Sequence, residues 1–305
     1  MHADWVAFLK TLTLSSQVVT DNQTTLAPLT HLSVLSVSGT DATIFLQGQT
    51  TCDIKALVDS EPRLGAYCNA KGRTISTFII IKRQDTFLLV LPSDLIDKVR
   101  KKLQMYVLRA NVKLTDETDQ LCIIGIHNVK LETQNNLYSY PQLENSFLFI
   151  ANAEQAISFC NQITQQQKLT LTTENTWIGL DIQAGIPWLQ RETSEEFVPQ
   201  MLNLDKLDAI SFEKGCYTGQ EIVARTHYLG KNKRAMYQAS CAIEACVRPG
   251  DTISETNEEA SQLGTVMSAS KQKTVTQLLI VLKDQASDAK NLQLNNENRD
   301  KITLY

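Results

Sequence analysis

The sequence predicts an α+β protein that ends in a small all-β domain. Up to about residue 235, segments that alternate like strands are interspersed with segments of helical periodicity, an order typical of helices packed on largely antiparallel sheets. From about residue 236, short strand-like pieces alternate with turn signals such as Pro249-Gly250-Asp251, which is typical of a small barrel. The chain of 305 residues is therefore expected to form two domains, 1–235 and 236–305.

The first half of the chain supplies several separate elements. Residues 32–40 alternate partly and predict a half-buried strand, and Ser38 followed by Asp41 resembles a helix start. Residues 75–81 and 87–91 predict a hairpin because a polar tetrapeptide joins two apolar runs. Further along we expect strands at 121–126 and 147–150, a helix at 154–162, and loops at 131–146 and 163–176.

The clearest helix of the chain follows the predicted hairpin. Its apolar residues recur every four positions, which is the spacing of one helix face, and Ser93 is the expected N-cap. These apolar residues are Leu95, Val99, Leu103 and Val107.

Composition and charge argue against several classes of protein. A net charge of −4 gives no overall attraction to nucleic acid or to membranes. Because there is no signal peptide and no run of about 18 apolar residues, we expect a cytoplasmic protein. The seven cysteines are scattered and contain no CxxC pair, which argues against a disulfide framework and against a zinc site of that kind.

Residues 210–234, ISFEKGCYTGQEIVARTHYLGKNKR, carry the most chemistry. Thr218 and Glu221 form a capping-box pattern, which predicts a short helix from Gly219. Cys216 would then lie just ahead of the helix N-terminus, where free amides and the helix dipole favour an anion. Lys214 adds a positive charge, and together these features favour the thiolate over the thiol.

The same segment has further features and an ordinary structural explanation. Gly215 and Gly219 leave room for a close approach to the backbone. Residues 213–234 carry five basic and two acidic side chains, which suits an anionic ligand or partner. A cysteine between glycines is nevertheless more often structural, and a basic run is more often a solvated loop. The residues alone leave both interpretations open.

The octapeptide 214–221, KGCYTGQE, resembles the signature of the YgfZ family, which is related to the aminomethyltransferase GcvT. The match is complete over all eight residues. Similar pieces occur at 45–49 (FLQGQ), 71–73 (KGR) and 199–205 (PQMLNLD), so the resemblance extends over residues 40–235.

The resemblance implies a fold, a ligand and a role. It implies two ferredoxin-like units around a central folate cavity, followed by a C-terminal β-barrel. It also implies binding of tetrahydrofolate or a derivative. The implied role is to support assembly or repair of iron–sulfur enzymes, including those of transfer RNA modification, with iron–sulfur client or assembly proteins as partners. Lys214 and Cys216 correspond to the lysine and cysteine of the signature, as functional thiol and neighbouring cation.

One departure from the transferase relatives bears on whether the chain is an enzyme. Where aminomethyltransferases carry an aspartate pair, this sequence has Ser76 and Thr77. A hydroxyl cannot replace a carboxylate as acid, base or charge stabiliser. Enzyme activity is therefore left open, with a tetrahydrofolate-dependent one-carbon transferase as the alternative function.

A folate site needs aromatic or apolar faces for the pterin and cations for the glutamate tail. Lys231 is a further candidate for binding the glutamate tail. Direct binding of nucleic acid, suggested by the basic run 225–234, is the weakest hypothesis because the chain is acidic overall. The expected folate-binding residues are Trp188, Arg191, Glu196, Tyr217, Gln220 and Arg225.

Overall fold

Two five-stranded sheets, helices packed against them and a closed six-stranded barrel make up the fold. The computed structural model describes residues 1–15, 23–131, 135–230, 232–256, 262–284 and 291–305. This architecture confirms the predicted α+β class with a C-terminal barrel.

The elements are numbered in chain order. The helices are α1 (Ala3–Thr11), α2 (Ala42–Gln47), α3 (Ile96–Val107), α4 (Ala153–Gln166), α5 (Glu174–Ala184) and α6 (Gln220–Tyr228). The strands of the two sheets are β1 (Thr25–Pro28), β2 (Leu32–Ser38), β3 (Pro62–Cys68), β4 (Thr74–Arg83), β5 (Thr86–Pro92), β6 (Lys113–Asp116), β7 (Cys122–His127), β8 (Leu137–Ser139), β9 (Phe147–Ala151) and β10 (Thr170–Leu171). The barrel strands are β11 (Arg234–Ala242), β12 (Thr252–Glu255), β13 (Gly264–Lys271), β14 (Val275–Lys283), β15 (Leu292–Leu294) and β16 (Lys301–Leu304).

The two sheets are interleaved along the chain. One sheet has the order β10-β1-β7-β9-β8 and the other the order β3-β4-β5-β2-β6. The chain therefore leaves the first sheet after β1, builds the whole second sheet, and returns with β7. In the barrel, the order is β11-β14-β13-β12-β15-β16, so every strand has two neighbours and no edge is left open.

The predicted hairpin and the predicted amphipathic helix are both present. β4 and β5 pair antiparallel, and Val99, Leu103 and Val107 of α3 are all buried. The predicted cap at Ser93 is wrong, because α3 begins only at Ile96 after a 3₁₀ turn. The Ser93 hydroxyl instead accepts a hydrogen bond from the hydroxyl of Ser33 at 2.8 Å.

The prediction of a loop at 163–176 is also wrong. This stretch contains the end of α4, the strand β10 and the start of α5. Helix α5 packs on β1 of the first sheet and on β13 and β14 of the barrel. A helix that is buried on several sides has no single apolar stripe, which is why its periodicity is not visible in the sequence.

Contacts of α5 fix how closely it approaches the first sheet. The ring of Trp177 lies against Gly125 of β7, where a Cβ would stand only 2.5 Å from ring atoms. A larger residue at position 125 would therefore push the helix away from the sheet. None of the helices in the described ranges combines the length and the apolar character that a membrane crossing requires.

Candidate functional site

The octapeptide 214–221 lies against the segment 45–49, although about 170 residues separate them in the sequence. The backbone N–H of Thr218 donates to the carbonyl of Gly48 at 3.1 Å. Its hydroxyl donates to the side-chain oxygen of Gln49 at 3.2 Å. The end of α2 and the centre of the octapeptide therefore hold each other in place.

A second contact joins the octapeptide to the turn at residues 69–73. Gly72 and Gly219 both have a positive φ, of 68° and 84°. A Cβ on Gly219 would stand 2.5 Å from the carbonyl oxygen of Asn69 and 3.0 Å from the Cα of Gly72. Both the backbone conformation and this close approach require glycine at position 219. Three of the four segments that carry the family resemblance (45–49, 71–73 and 214–221) are thus in contact at one place.

The helix start differs from the predicted capping box. α6 begins at Gln220 with Gly219 as its N-cap, and no side chain caps it. Thr218 lies one residue before the N-cap, and its hydroxyl donates a hydrogen bond to Gln49. The helix ends at Tyr228, and Val223 is its buried residue.

Lys214 is buried, and its ammonium group is directed at backbone carbonyls. Its Nζ donates to the carbonyl of Thr50 at 2.8 Å and to that of Cys52 at 2.7 Å, and it lies 5.2 Å from the centre of the Tyr217 ring. Burial lowers the pKa of Lys214 to about 8, against the opposing charges of Cys52 and Asp53. These contacts bind the ammonium group of Lys214 to residues 50–52, and its role as the cation beside the Cys216 thiol stays a prediction.

Cys216 is exposed, unlike Lys214 two residues before it. A Cβ on Gly215 would meet no atom within 4 Å, so the expected close approach occurs at Gly219 and not at Gly215. Beside this loop, the rings of Phe212 and His227 stack at 3.8 Å between centres. The Cys216 thiol is therefore accessible to solvent, although its neighbours Lys214 and Gly219 are tightly packed.

An open cleft of about 1280 Å³ is also lined in part by the 69–73 turn. Its walls come from that turn, from residues 195–201, and from strand ends β11, β13 and β14 of the barrel. We call it the basic cleft because five of its twelve lining residues are cationic. The lining residues are Asn69, Lys71, Arg73, Glu195, Glu196, Met201, Lys233, Arg234, Gln262, Thr265, Lys283 and Asp284.

The two adjacent glutamates of the basic cleft have different environments. Glu195 accepts a hydrogen bond from the Asn69 side chain at 2.7 Å and pairs with Lys98 at 3.0 Å. Partial burial opposes its ionisation, but these partners and Lys102 hold the pKa of Glu195 below its usual value. For Glu196 burial is the larger influence and raises the pKa, although the nearby Arg234 lowers it.

Trp188, a predicted folate contact, belongs to a buried polar cluster. Its indole N–H donates to Asp181 at 2.9 Å, and the Tyr140 hydroxyl donates to the same carboxyl at 2.6 Å. Burial raises the pKa of Asp181 to about 7, although both hydrogen bonds and the charge of His31 lower it. Sequence reasoning missed Asp181 because it lies on α5, the helix with no apolar stripe.

The other predicted folate contacts are dispersed. Tyr217, within the octapeptide, is buried, and burial raises the pKa of its hydroxyl. Gln220 is half-buried at the start of α6, whereas Arg191 and Arg225 are exposed. Lys231 lies outside the described residues. Of the six predicted contacts, Glu196 is the one that lines the basic cleft.

The two hydroxyls at the position of the transferase aspartates are both buried and bonded to the backbone. Ser76 donates to the carbonyl of Thr77 at 2.8 Å, and Thr77 donates to the carbonyl of Pro187 at 2.5 Å. The Thr77 hydroxyl joins the β4 strand to the 187–189 segment, whereas the Ser76 bond stays within β4. Each hydroxyl proton is thus committed to a backbone carbonyl inside the core.

Known proteins resemble this chain in sequence and in fold. Residues 13–128 match the GCVT N-terminal domain. The chain is 34% identical over 261 residues to the tRNA-modifying protein YgfZ of Colwellia psychrerythraea, with 80% of this chain and 81% of the relative covered. It is 31% identical over 268 residues to the tRNA-modifying protein YgfZ of Pectobacterium carotovorum, with 81% and 80% covered.

A solved structure extends the comparison to the fold. The glycine cleavage system aminomethyltransferase T from Bartonella henselae superposes with a TM-score of 0.72 over 99% of this chain and 88% of its own. Sequence identity in that superposition is 12%, so the likeness concerns the fold alone.

Proposed function

We propose that this chain, which belongs to the YgfZ family, binds a reduced folate in the basic cleft and presents the Cys216 thiol for assembly or repair of iron–sulfur enzymes. Those enzymes include ones that act in transfer RNA modification, in keeping with the names of the relatives. In this proposal residues 1–235 form the folate-binding region. The barrel, residues 236–305, completes one wall of the cleft.

The observation that carries the proposal is the shared 69–73 turn. Gly72 of this turn contacts Gly219 of the octapeptide. In addition, Lys71 and Arg73 of the same turn line the basic cleft. A ligand in the cleft and the loop that bears the thiol are therefore supported by the same five residues.

The chemistry of the basic cleft suits a folate. Glu196 offers a carboxylate to the N–H groups of a pterin, and Met201 offers an apolar contact. Cations such as Arg234 suit the carboxylates of the glutamate tail. When bound, the folate would supply a carrier for one-carbon units. The residues of this chain bind and orient it.

The proposal gives Cys216 the role of a single accessible thiol. Within the part of the chain that the structure describes, no three histidine, cysteine or acidic side chains come together in a metal-binding arrangement. Cys216 is nevertheless exposed on a loop with open space around Gly215. Such a thiol is accessible to the surface of a client or assembly protein.

The contacts of Ser76 and Thr77 count against the alternative, a tetrahydrofolate-dependent one-carbon transferase. Both hydroxyls are buried in hydrogen bonds to backbone carbonyls. Neither offers the carboxylate that the transferase relatives use. We therefore place support of iron–sulfur enzymes ahead of aminomethyl transfer.

The proposal is tested in a strain that lacks the gene. Cys216→Ala is compared with Cys246→Ala, a matched control because Cys246 is the other exposed cysteine among the described residues. We expect Cys246→Ala to restore the activity of iron–sulfur enzymes and Cys216→Ala to leave it at the level of the deletion. Full restoration by Cys216→Ala would refute the proposed role of the thiol.

A further inference from the structure

We infer that four exposed apolar side chains, running from the end of α3 along α2 towards the octapeptide, form a docking surface for an iron–sulfur client protein. We call this surface the docking strip, and it consists of Ile44, Met105, Tyr106 and Leu108. The inference rests on the proposed function, because it names the surface that holds the client beside Cys216. The matching surface of the client is apolar at its centre and acidic at its rim.

The end of α3 displays several large apolar side chains to solvent. Met105 is 65% exposed, Tyr106 is 44% exposed and Leu108 is 87% exposed. All three lie within four positions of the chain. Exposed apolar side chains that cluster in this way mark an interaction surface.

Leu108 has a backbone conformation that normally calls for glycine. Its φ of 46° and ψ of −107° are close to those of the first central residue of a type II′ turn. The N–H of Ala110 closes this turn by donating to the carbonyl of Val107 at 2.8 Å. Glycine dominates the position because a Cβ is disfavoured there. Strained residues of this kind cluster where a function requires them, and here the strained residue presents an exposed leucine.

The surroundings of the docking strip are strongly basic in a chain that is acidic overall. Residues 98–113 contain six basic side chains and no acidic one, so a total of −4 leaves −10 for the rest of the chain. Four of the six pair with Asp97 or Glu195, and six cations against two carboxylates leave an excess of four positive charges. A partner with an acidic rim is therefore attracted to this surface.

Helix α2 connects the end of α3 to the octapeptide. At the start of α2, the Asp41 carboxylate accepts a hydrogen bond from the N–H of Asn111 at 2.7 Å. At its end, the carbonyl of Gly48 accepts the hydrogen bond from Thr218. The six residues of α2 span about 9 Å, and Ile44 within it is 70% exposed. A partner that covers the docking strip therefore reaches the loop that carries the thiol.

The combination of apolar and cationic side chains favours a protein over other partners. Protein interfaces have an apolar centre and a polar rim, and they are enriched in Met, Tyr and Arg. A nucleic acid would pair its phosphates with the cations but would gain little from Leu108 and Ile44. A lipid surface would accept both kinds of side chain, yet it gives no reason for the strip to lead to the octapeptide.

The test asks whether an inactive chain competes for the client through the docking strip. Cys216→Ala is overproduced in wild-type cells, alone or combined with the strip variant, which is Ile44→Gln, Met105→Gln and Leu108→Gly together. Tyr305→Gln is the control, because Tyr305 is an exposed apolar residue next to β16 of the barrel. The readout is the activity of iron–sulfur enzymes.

At about tenfold excess over the parent protein, Cys216→Ala should occupy most of the client and lower the enzyme activity to roughly a tenth, by mass action. Adding the strip variant should return the activity to near its normal level, whereas adding Tyr305→Gln should leave the inhibition intact. The purified strip variant should bind tetrahydrofolate as the parent does. It should also unfold at no lower urea concentration, because glycine suits position 108.

Inhibition that persists when the strip variant is added would overturn the inference. The same holds if a Cys216→Ala protein that fails in the deletion strain causes no inhibition. The purified proteins are also titrated with transfer RNA and with phosphatidylglycerol vesicles. If the strip variant lost binding to one of these and left the inhibition unchanged, the strip would belong to that ligand instead.

The deletion strain separates this inference from the proposed function. If Cys216→Ala restores the strain and the strip variant does not, the role of the thiol is wrong and the docking strip stands. If the strip variant restores the strain fully and Cys216→Ala does not, the docking strip is wrong and the role of the thiol stands.

Discussion

The 69–73 turn takes part in two contacts that differ in packing: one is close-packed and the other faces an open cleft. Towards the octapeptide, the turn is packed so closely that a Cβ on Gly219 would stand 2.5 Å from the carbonyl oxygen of Asn69. Towards the barrel, the same turn faces the open basic cleft with Lys71 and Arg73. The packed side depends on shape and on backbone hydrogen bonds. The open side depends on charge.

This difference separates the residues that hold the site from those that contact a ligand or partner. On the packed side, substitutions should change stability. On the open side, and at the exposed Cys216, they should change binding or function and leave the free energy of unfolding nearly the same.

The largest effect is expected at Gly219. Gly219→Ala combines a positive φ with a clash against the backbone, so we expect a loss of roughly 3–4 kcal/mol in the free energy of unfolding. Gly215→Ala is the matched control, because a Cβ there meets nothing within 4 Å, and it should change stability by less than about 0.5 kcal/mol. Urea unfolding measures both. Equal losses would show that the packed contact does not hold the octapeptide.

The next largest loss of stability is expected at Lys214, with Lys233 as the comparison. Lys214→Ala removes two hydrogen bonds to the carbonyls of Thr50 and Cys52, and we expect it to cost roughly 2–3 kcal/mol. Lys233→Ala, in the open cleft, should leave stability within about 0.5 kcal/mol of the parent. Thermal or urea unfolding measures the loss of stability of the two variants relative to the parent. If the Lys214→Ala protein were as stable as the parent but did not restore the activity of iron–sulfur enzymes in cells, Lys214 would have a direct chemical role.

A smaller effect concerns pH and the buried carboxyl of Asp181. Its folded pKa of about 7 lies above the unfolded value, so the folded protein binds more protons between these two values. Stability contributed by this group is therefore present at low pH and lost as the pH rises towards 7. We expect a loss of roughly 2 kcal/mol between pH 5 and pH 8. Urea unfolding at the two pH values measures it.

Asp181→Asn should remove this pH dependence, since the amide does not titrate. Asn retains an oxygen acceptor for one of the two donors, Tyr140 and Trp188. The same pH dependence in the variant would assign it to another group.

The sequence predicted those features that are local in the chain. The octapeptide, the β4–β5 hairpin and the apolar face of α3 each lie within about twenty residues, and their patterns were visible. The basic cleft was not predictable because it joins Lys71 to Lys283 across more than two hundred residues. The burial of Lys214 was hidden for the same reason, since its partners are residues 50 and 52.

The central claim is that the basic cleft binds a reduced folate beside the octapeptide. It is tested most directly by calorimetric titration of monoglutamyl tetrahydrofolate into the parent protein, Glu196→Gln and Glu192→Gln. Glu192 is an exposed control that does not line the cleft. The account predicts micromolar binding by the parent and by Glu192→Gln, and binding roughly tenfold weaker or worse by Glu196→Gln, which loses a charged acceptor. No binding by the parent, or equal binding by all three proteins, would contradict it.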